Sequence, residues 1–197
     1  MIWVALAAQL SAPVPIDFLK WWSPDDMPAY HQINGVTRWL TYRVTVKPDG
    51  SIQACDVEIS SSDRYLDSLS CNIIKKRAKL APAKWTDGSP VQGVFRGGVT
   101  WAVGDDPPPN LRPPDLTVKV DQIPKRTRSS GYAKVMFAVD EHGRVSDCAE
   151  YPENERPELV DAACQAVIES YKATAAAGPN GYAVRSVQNA EVKVSKK

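Results

Sequence analysis

Histidine and cysteine are scarce in this chain of 197 residues, and their scarcity restricts the chemistry it can carry out. There are only two histidines, His31 and His142, and four cysteines. His142 stands in a turn, where a solvated residue is expected, and His31 has no evident partner in the sequence. No nucleophile stands beside a base, and no cysteine pair has the close spacing of a zinc knuckle. We therefore expect no enzyme, no metal site, no cofactor and no small-molecule substrate.

An excess of charge of one sign and a long apolar run are also missing. The formal net charge is +1, so no nucleic-acid-binding surface is indicated. At the same time, 43% of the residues are hydrophobic, which is too many for a disordered chain. The N-terminal run MIWVALAAQL is uncharged but far shorter than the ~20 residues of a membrane-spanning helix. We interpret residues 1–12 as the remnant of a signal peptide, with a disordered or core-packed terminus as the alternative.

The positions of the four cysteines reveal an internal repeat. Cys55 and Cys71 lie 16 residues apart, as do Cys148 and Cys164, and the second pair follows the first at an offset of 93 positions (148 minus 55). The same offset, without a gap, superimposes Val46 on Val139, Gly50 on Gly143, Leu66 on Leu159, Gly88 on Gly181 and Val99 on Val192. One register held over this length predicts two tandem copies of a unit that is longer than the usual solenoid repeats.

Each copy has the pattern of two strands, a helix and a last strand. In copy one, apolar residues alternate over residues 40–46, the sequence KPDG predicts a hairpin turn at Gly50, and SIQACDVEI is the returning strand. Apolar residues at helical spacing over 66–80 follow the capping sequence SSSD, and VTWAV is the last strand, with a bulge expected at Gly97 and Gly98. Copy two repeats this order. We therefore predict an α+β fold of two tandem β-β-α-β domains, each a small antiparallel sheet with one helix packed on a face.

The cysteines fall on two elements that pack together in this arrangement. In each copy the first cysteine lies on the second strand and the second lies in the helix. We expect disulfides between Cys55 and Cys71 and between Cys148 and Cys164, each stabilising its copy by roughly 3 kcal/mol through loop closure. Two buried thiols per copy are the alternative, and a zinc site is less favoured because the pairs belong to separate copies. Disulfides indicate an oxidising compartment.

A proline-rich segment, GDDPPPNLRPPD, separates the two copies at residues 104–115. Such a segment interrupts helices and strand ladders and favours an extended polyproline conformation. The predicted organisation is therefore a first domain over residues 23–103, a proline-rich linker over 104–118 and a second, divergent domain over 119–197.

Copy one resembles the C-terminal domain of the TonB family, the energy transducers of Gram-negative outer-membrane transport. The shared pattern is an alternating strand, an Asp-Gly turn, Ser-Ser, Leu-Asp, a helix, Pro-Ala, Gly-x-Pro-Val and a last alternating strand. The matching residues are Asp49, Gly50, Ser61, Ser62, Leu66, Asp67, Pro82, Ala83, Gly88, Pro90 and Val91. Copy two is a more distant match, which keeps Gly143, Leu159, Gly181 and Val184.

This resemblance implies a periplasmic domain that docks on plugged outer-membrane receptors. In the family, the last strand pairs with a short receptor segment and so adds a strand to the sheet. Carried over to this chain, the partner-binding residues are those of the two last strands: Val99, Thr100, Trp101, Ala102, Val103, Val192, Lys193 and Val194. The backbone of these strands would supply affinity, and Trp101 and its neighbours would supply selectivity.

The family also implies a transmembrane anchor coupled to a proton-driven motor of the inner membrane. Neither an anchor nor a long spacer precedes copy one in this sequence. We therefore expect an exported, periplasmic binding module, soluble or membrane-associated, whose partner is an outer-membrane receptor or another envelope protein. The alternative function is a structural envelope protein that forms a homo-oligomer through its edge strands.

Overall fold

The computed structural model describes residues 10–35, 37–103, 113–123, 130–152 and 154–197. These residues form three α-helices and twelve strands, which confirms the α+β class. The helices are α1 (Ala29–Ile33), α2 (Arg64–Arg77) and α3 (Val160–Ser170). The strands are β1 (Val14–Ile16), β2 (Arg38–Val46), β3 (Ile52–Ile59), β4 (Lys79–Ala81), β5 (Ala83–Lys84), β6 (Pro90–Trp101), β7 (Leu116–Val120), β8 (Ser130–Val139), β9 (Val145–Glu150), β10 (Ala176–Ala177), β11 (Ala183–Val184) and β12 (Ser186–Lys196).

The 93-residue offset reappears in the pairing of the strands. In copy one, β2 pairs antiparallel with β3 and β6; in copy two, β8 pairs antiparallel with β9 and β12. Thr45 of β2 faces Val94 of β6, and the residues 93 positions later, Ala138 and Val187, face each other across β8 and β12. The pairing of these strands is therefore repeated at the same offset in both copies.

The two copies nevertheless share one sheet. Its strand order is β3-β2-β6-β12-β8-β9, and β7 also pairs with β12, giving eight strands with β5 attached to β6. The joint between the copies is a parallel pairing of β6 with β12, in which residues 186–188 face residues 92–94. The expectation of two separate antiparallel sheets is therefore not confirmed, because the copies meet in one mixed sheet.

Buried polar side chains hold the two strands together just beyond this joint. Arg96 of β6 and Asn189 of β12 are equivalent positions of the two copies. The backbone N–H of Arg96 donates to Asn189 Oδ1 at 2.9 Å, and its guanidinium donates to the Asn189 carbonyl at 3.2 Å and to Gln188 at 3.3 Å. Arg96 also pairs with Glu58 at 3.1 Å. Because all these partners except Glu58 are buried, other arrangements of the joint would leave polar groups unsatisfied, which favours this one.

The two long helices lie on opposite faces of the sheet. Phe137 of β8 packs toward α3, whereas its neighbour Met136 points to the other face, because side chains alternate along a strand. Met136 packs there with Leu10, Ala12 and Val91. Val91 lies on the same side of β6 as Phe95, which packs in the core beneath α2. Each copy thus has its helix on one face, and the two copies are turned over relative to each other.

The N-terminal segment is part of this core from residue 10 onwards. Leu10 and Ala12 are buried, and the backbone of Ser11 exchanges hydrogen bonds with Lys84 at 2.9 and 3.0 Å. Leu10 and Ala12, at the end of the predicted signal-peptide remnant, therefore pack in the core. Residues 1–9 of the predicted remnant lie outside the described residues.

The Ser-Ser and Leu-Asp motifs of copy one form hydrogen bonds at the N-terminus of α2. The Asp67 carboxylate accepts hydrogen bonds from the hydroxyls of Ser60 and Ser61 at 2.5 and 2.6 Å and from the Ser61 backbone at 2.9 Å. Asp63 is the N-cap residue and accepts from two backbone N–H groups of the first turn. Copy two lacks these motifs, and α3 is shorter and begins without a side-chain cap. Part of the resemblance to the TonB family therefore reflects helix capping.

Both predicted disulfides are present. Cys55 is joined to Cys71 and Cys148 to Cys164, each linking the second strand of its copy to the helix with Cα atoms 5.6 and 5.4 Å apart. The pair of copy one is buried in the core, whereas the pair of copy two is half-buried. Disulfides of this kind are consistent with a protein exported from the cytoplasm.

β7 begins inside the segment that the sequence predicts as a linker. Residues 104–112 lie outside the described residues. Residues 116–118, however, are the first three residues of β7 and belong to the sheet of copy two. β7 therefore begins before the boundary predicted after residue 118, because alternating apolar side chains in LTVKV form a strand despite the prolines before them. Within the described part of the chain, no helix has the length and apolar character needed to cross a membrane.

The difference in burial predicts an order of reduction for the two disulfides. We expect a thiol reductant at limiting concentration, followed by alkylation and peptide mapping by mass spectrometry, to label Cys148 and Cys164 before Cys55 and Cys71. The reason is that a thiolate must reach a sulfur atom to reduce it. Equal labelling rates would instead mean that both disulfides are reduced only after global unfolding.

The joint between the copies can be tested by cutting the chain. We expect a chain cleaved at a protease site placed within residues 104–112 to elute from gel filtration as one species, because the pairing of β6 with β12 holds the fragments together. Arg96→Ala should promote separation of the cleaved fragments, since it leaves buried partners unsatisfied. Arg144→Ala, in an exposed turn, is the matched control. Separation of the cleaved chain with no substitution would contradict a stable joint.

Candidate functional site

The last part of β6 is paired along only one edge. From Gly93 to Trp101, β6 pairs with β2. On its other edge, pairing with β12 ends at Val94, and the Asn189 side chain then covers the backbone of Arg96. Within the described part of the chain, no strand pairs with this edge over residues 97–101, which we call the open edge.

The open edge faces a gap in the sheet where β6 separates from β12, which we call the fork. One edge of β12 is occupied by β8 over residues 186–195, so β6 and β7 must both pair with its other edge. β6 leaves β12 after residue 94, and β7 joins β12 from residue 192. The open edge of β6 therefore faces the space where β6 and β12, the last strands of the two copies, diverge.

Two residues direct their backbone groups into this fork. The N–H and C=O groups of alternate residues in a strand point to the same edge, and the N–H of Arg96 points to β12. The backbone groups of Gly98 and Thr100 consequently point to the open edge, and both residues are exposed. A row of exposed strand donors and acceptors is a template for a further strand.

The open edge is regular, contrary to the bulge expected at Gly97 and Gly98. No register shift interrupts the pairing of β2 with β6. A Cβ atom at Gly97 would lie 2.7 Å from the Tyr42 hydroxyl oxygen and 2.8 and 2.9 Å from two ring carbons. The glycine is therefore needed because the buried Tyr42 ring lies across the strand, and the backbone stays straight and available for pairing.

The outer edges of the sheet are less suited to strand addition. β3 and β9 form these edges, and the pairing of each with its neighbour is interrupted by register shifts. Both strands also carry acidic residues, among them Asp56 and Glu58 in β3 and Asp147 and Glu150 in β9. Bulges and charges on an edge strand discourage pairing with another chain. The open edge of β6 has neither feature.

Two hollows adjoin the open edge. One, of about 520 Å³, lies in the fork and is bordered by Phe18, Arg96, Gly98 and Glu191. The other, of about 580 Å³, is bordered by residues 99–103 and by residues of the segment that precedes α1. Side chains of a strand added to the edge would need such space, because they alternate in direction along the strand.

A tethered turn forms the wall of the second hollow. Pro24–Asp26 is a single turn of 3-10 helix, closed by a capping box between Ser23 and Asp26. Arg77, at the end of α2, donates to both carboxylate oxygens of Asp26 at 2.6 and 2.8 Å, and this hydrogen bonding holds the pKa of Asp26 below its ordinary value. The hollow is thus bounded by a turn that is fixed to the helix of copy one.

The residues predicted to bind a partner in copy one have different roles. Thr100 and Val103 are exposed, Val99 and Ala102 are half-buried, and Trp101 is buried. The indole N–H of Trp101 donates to Ser70 Oγ at 3.0 Å, and its ring packs edge-on against Trp22. The side chain of Trp101 therefore packs in the core, whereas its backbone lies at the edge.

The predicted residues of copy two are enclosed within the sheet. Val192, Lys193 and Val194 pair with β8 on one side and with β7 on the other. Val192 and Val194 are also fully buried against α3. The chain itself therefore occupies the edge that corresponds to the open edge of copy one.

His31 and His142 stand apart from this site. His31 is buried, and its Nε2 donates to the Asp63 carboxylate at 2.7 Å, a partner that sequence analysis missed because it lies 32 positions away. This pair ties α1 to the start of α2, and the His31 ring also contacts the rings of Tyr30 and Tyr65. His142 is exposed in the turn between β8 and β9.

Comparisons with known proteins do not add a family to this picture. Neither the protein-family models nor the curated proteins contain a match to this chain. In the part of the chain that the structure describes, no group of three or more His, Cys, Asp or Glu side chains is arranged to hold a metal ion. The candidate site therefore rests on the geometry of the open edge and on the resemblance in sequence.

The contact between His31 and Asp63 predicts a dependence of stability on pH. The hydrogen bond from His31, helped by two backbone N–H groups, holds the pKa of Asp63 below its ordinary value of 3.8. The ionised carboxylate therefore stabilises the fold above that value, and the contribution is lost as the pH falls through the lowered pKa.

Asp63→Asn keeps a capping oxygen but cannot ionise. In urea titrations, we expect the wild type to lose stability relative to Asp63→Asn as the pH falls from about 4 to about 2. Asp25→Asn, on the exposed turn, is the control. A difference in free energy of unfolding that stays constant over this range would show that folding leaves the pKa of Asp63 unchanged.

Proposed function

We propose that this protein is a periplasmic, TonB-like binding module that engages extended segments of outer-membrane receptors or other envelope proteins, in connection with TonB-dependent transport. The segment would add as a strand to the open edge of β6. The observation that carries this proposal is the straight, uncharged edge at residues 97–101, whose backbone groups face a fork in the sheet. Strand addition uses such groups for affinity and nearby space for selectivity.

The surroundings of the edge support a site that is organised before a partner arrives. β2 pairs with the other edge of this strand, and the buried rings of Tyr42 and Trp101 anchor it in the core. The Arg77–Asp26 pair fixes the wall of one hollow. A rigid edge loses little conformational entropy on binding, so more of the hydrogen-bond energy appears as affinity.

The periplasm is the compartment that this proposal requires. Two disulfides need an oxidising environment to form and persist, and the bacterial periplasm provides one. The resemblance of copy one to the TonB C-terminal domain points to the same place.

Self-association is the second candidate function, since the open edge could pair with the same edge of another molecule. An exposed strand edge does not distinguish a foreign segment from a second copy of the chain. Sedimentation velocity distinguishes them, because a self-pairing edge gives a dimer that Thr100→Pro abolishes.

The proposed function is tested by a pair of substitutions at one position. Thr100→Pro removes the N–H that points into the fork, whereas Thr100→Ala keeps it and removes only the side chain. The probes are synthetic peptides that cover the plug segments of the outer-membrane receptors encoded in the same genome. For a peptide that binds the wild type, we expect Thr100→Pro to weaken binding by about tenfold or more and Thr100→Ala to leave it nearly unchanged.

Circular dichroism and gel filtration serve as folding controls for both variants. Binding that is equally strong in wild type and in folded Thr100→Pro would contradict strand addition at this edge. A wild-type chain that binds none of the peptides but forms the dimer described above would favour the structural role.

A further inference from the structure

The two copies treat their equivalent edges in opposite ways. Residues 192–196 of β12 correspond, at the 93-residue offset, to residues 99–103 of copy one. Leu116 to Val120 of β7 lie opposite residues 192–196 in a parallel register. The same edge is therefore covered by the chain's own strand in copy two and free of a strand in the described part of copy one.

Whether the edge is covered depends on the segment that precedes each copy. The residues 93 positions before β7 are 23–27, which contain the turn Pro24–Asp26 beside the open edge. Pro24 and the capping box bend this segment into a turn, and Arg77 holds it there. In copy two the corresponding sequence, LTVKV, lacks proline and alternates apolar side chains, so it forms a strand.

β7 is bound to β12 as a peptide would be. The backbone N–H of Asp115 donates to the Glu191 carbonyl at 2.8 Å, and the Asp115 carboxylate accepts from the Glu191 N–H at 2.7 Å. At the other end, the Lys197 N–H donates to the Val120 carbonyl at 3.0 Å. Leu116, Val118 and Val120 pack half-buried against the core of copy two, while Thr117 and Lys119 are exposed.

We propose that residues 192–196 form a latent second binding edge, of which β7 is the built-in occupant. When β7 is displaced, this edge binds an extended segment that has an aspartate followed by apolar side chains at alternate positions, the chemistry that β7 itself shows. This inference rests on the proposed function in one respect, since both edges are taken to bind by strand addition.

The covalent connection of β7 to the rest of the chain explains why the latent edge is closed in the resting protein. A segment on the same chain competes with an effective concentration on the order of millimolar, so a free segment at micromolar concentration does not displace it. The resting chain therefore offers one edge, and any event that detaches β7 adds a second.

A matched pair of prolines detaches β7 selectively. The Val120 carbonyl points to β12, so by alternation the backbone groups of Val118 also point there, and those of Thr117 point away. Val118→Pro removes a hydrogen bond to β12, whereas Thr117→Pro does not. The probe is a synthetic peptide with the sequence of residues 113–123, titrated into the full-length chain by calorimetry with native mass spectrometry for stoichiometry.

We expect the wild type and Thr117→Pro to bind one peptide, at the open edge, and Val118→Pro to bind two. Thr100→Pro should bind none, and the double variant Thr100→Pro/Val118→Pro should bind one, at the latent edge. Asp115→Ala, which loosens only the start of β7, should bind a second peptide more weakly than Val118→Pro does. This variant is decisive if circular dichroism shows that Val118→Pro does not fold.

Failure of this inference can be told apart from failure of the proposed function. One peptide bound to the wild type, to Val118→Pro and to Asp115→Ala would overturn the latent edge and leave the open edge in place. No peptide bound to the wild type and one bound to Val118→Pro would support the latent edge and contradict the open edge as a site for this class of segment. No binding to any variant would overturn the latent edge and would also contradict the open edge as a site for this class of segment, whereas the proposed function is tested separately with receptor peptides.

Discussion

The parallel pairing of β6 with β12 is the interaction on which the rest of the structure depends. Only three residues of each strand take part, yet this pairing turns two copies into one sheet and places their helices on opposite faces. Arg96 and Asn189 end it with buried hydrogen bonds between equivalent positions. Beyond them the strands separate, and the separation creates the fork that contains the candidate site.

The two copies acquire different surfaces through the short segments that precede them. In copy one, Ser23 and Pro24 keep the preceding segment folded as a turn, and Arg77 anchors it through Asp26. In copy two, Asp115 precedes a strand that lies along β12 and binds the Glu191 backbone. The halves keep one pairing register, while a few residues ahead of each decide whether its last strand is exposed.

Sequence reasoning succeeded where the determinants are local. The repeat, the hairpin turns at Gly50 and Gly143, the capped helix α2 and both disulfides follow from spacing and turn chemistry within one copy. The joint could not be predicted, because parallel pairing of strands 93 residues apart leaves no local pattern. The burial of the Trp101 side chain could not be predicted either, since alternation along a strand does not show which face another element covers. The Pro-rich neighbourhood concealed β7, although its alternating side chains were visible in the sequence.

The fork has a mechanical consequence for any segment bound in it. A strand lying along β6 makes its hydrogen bonds in a row parallel to its own length. Tension applied along that strand would load the whole row at once, whereas a sideways pull would break the bonds one after another from the end. Because β6 is held by β2 over nine consecutive pairs and by β12 at its start, a lengthwise pull would be carried into the sheet of both copies at the same time.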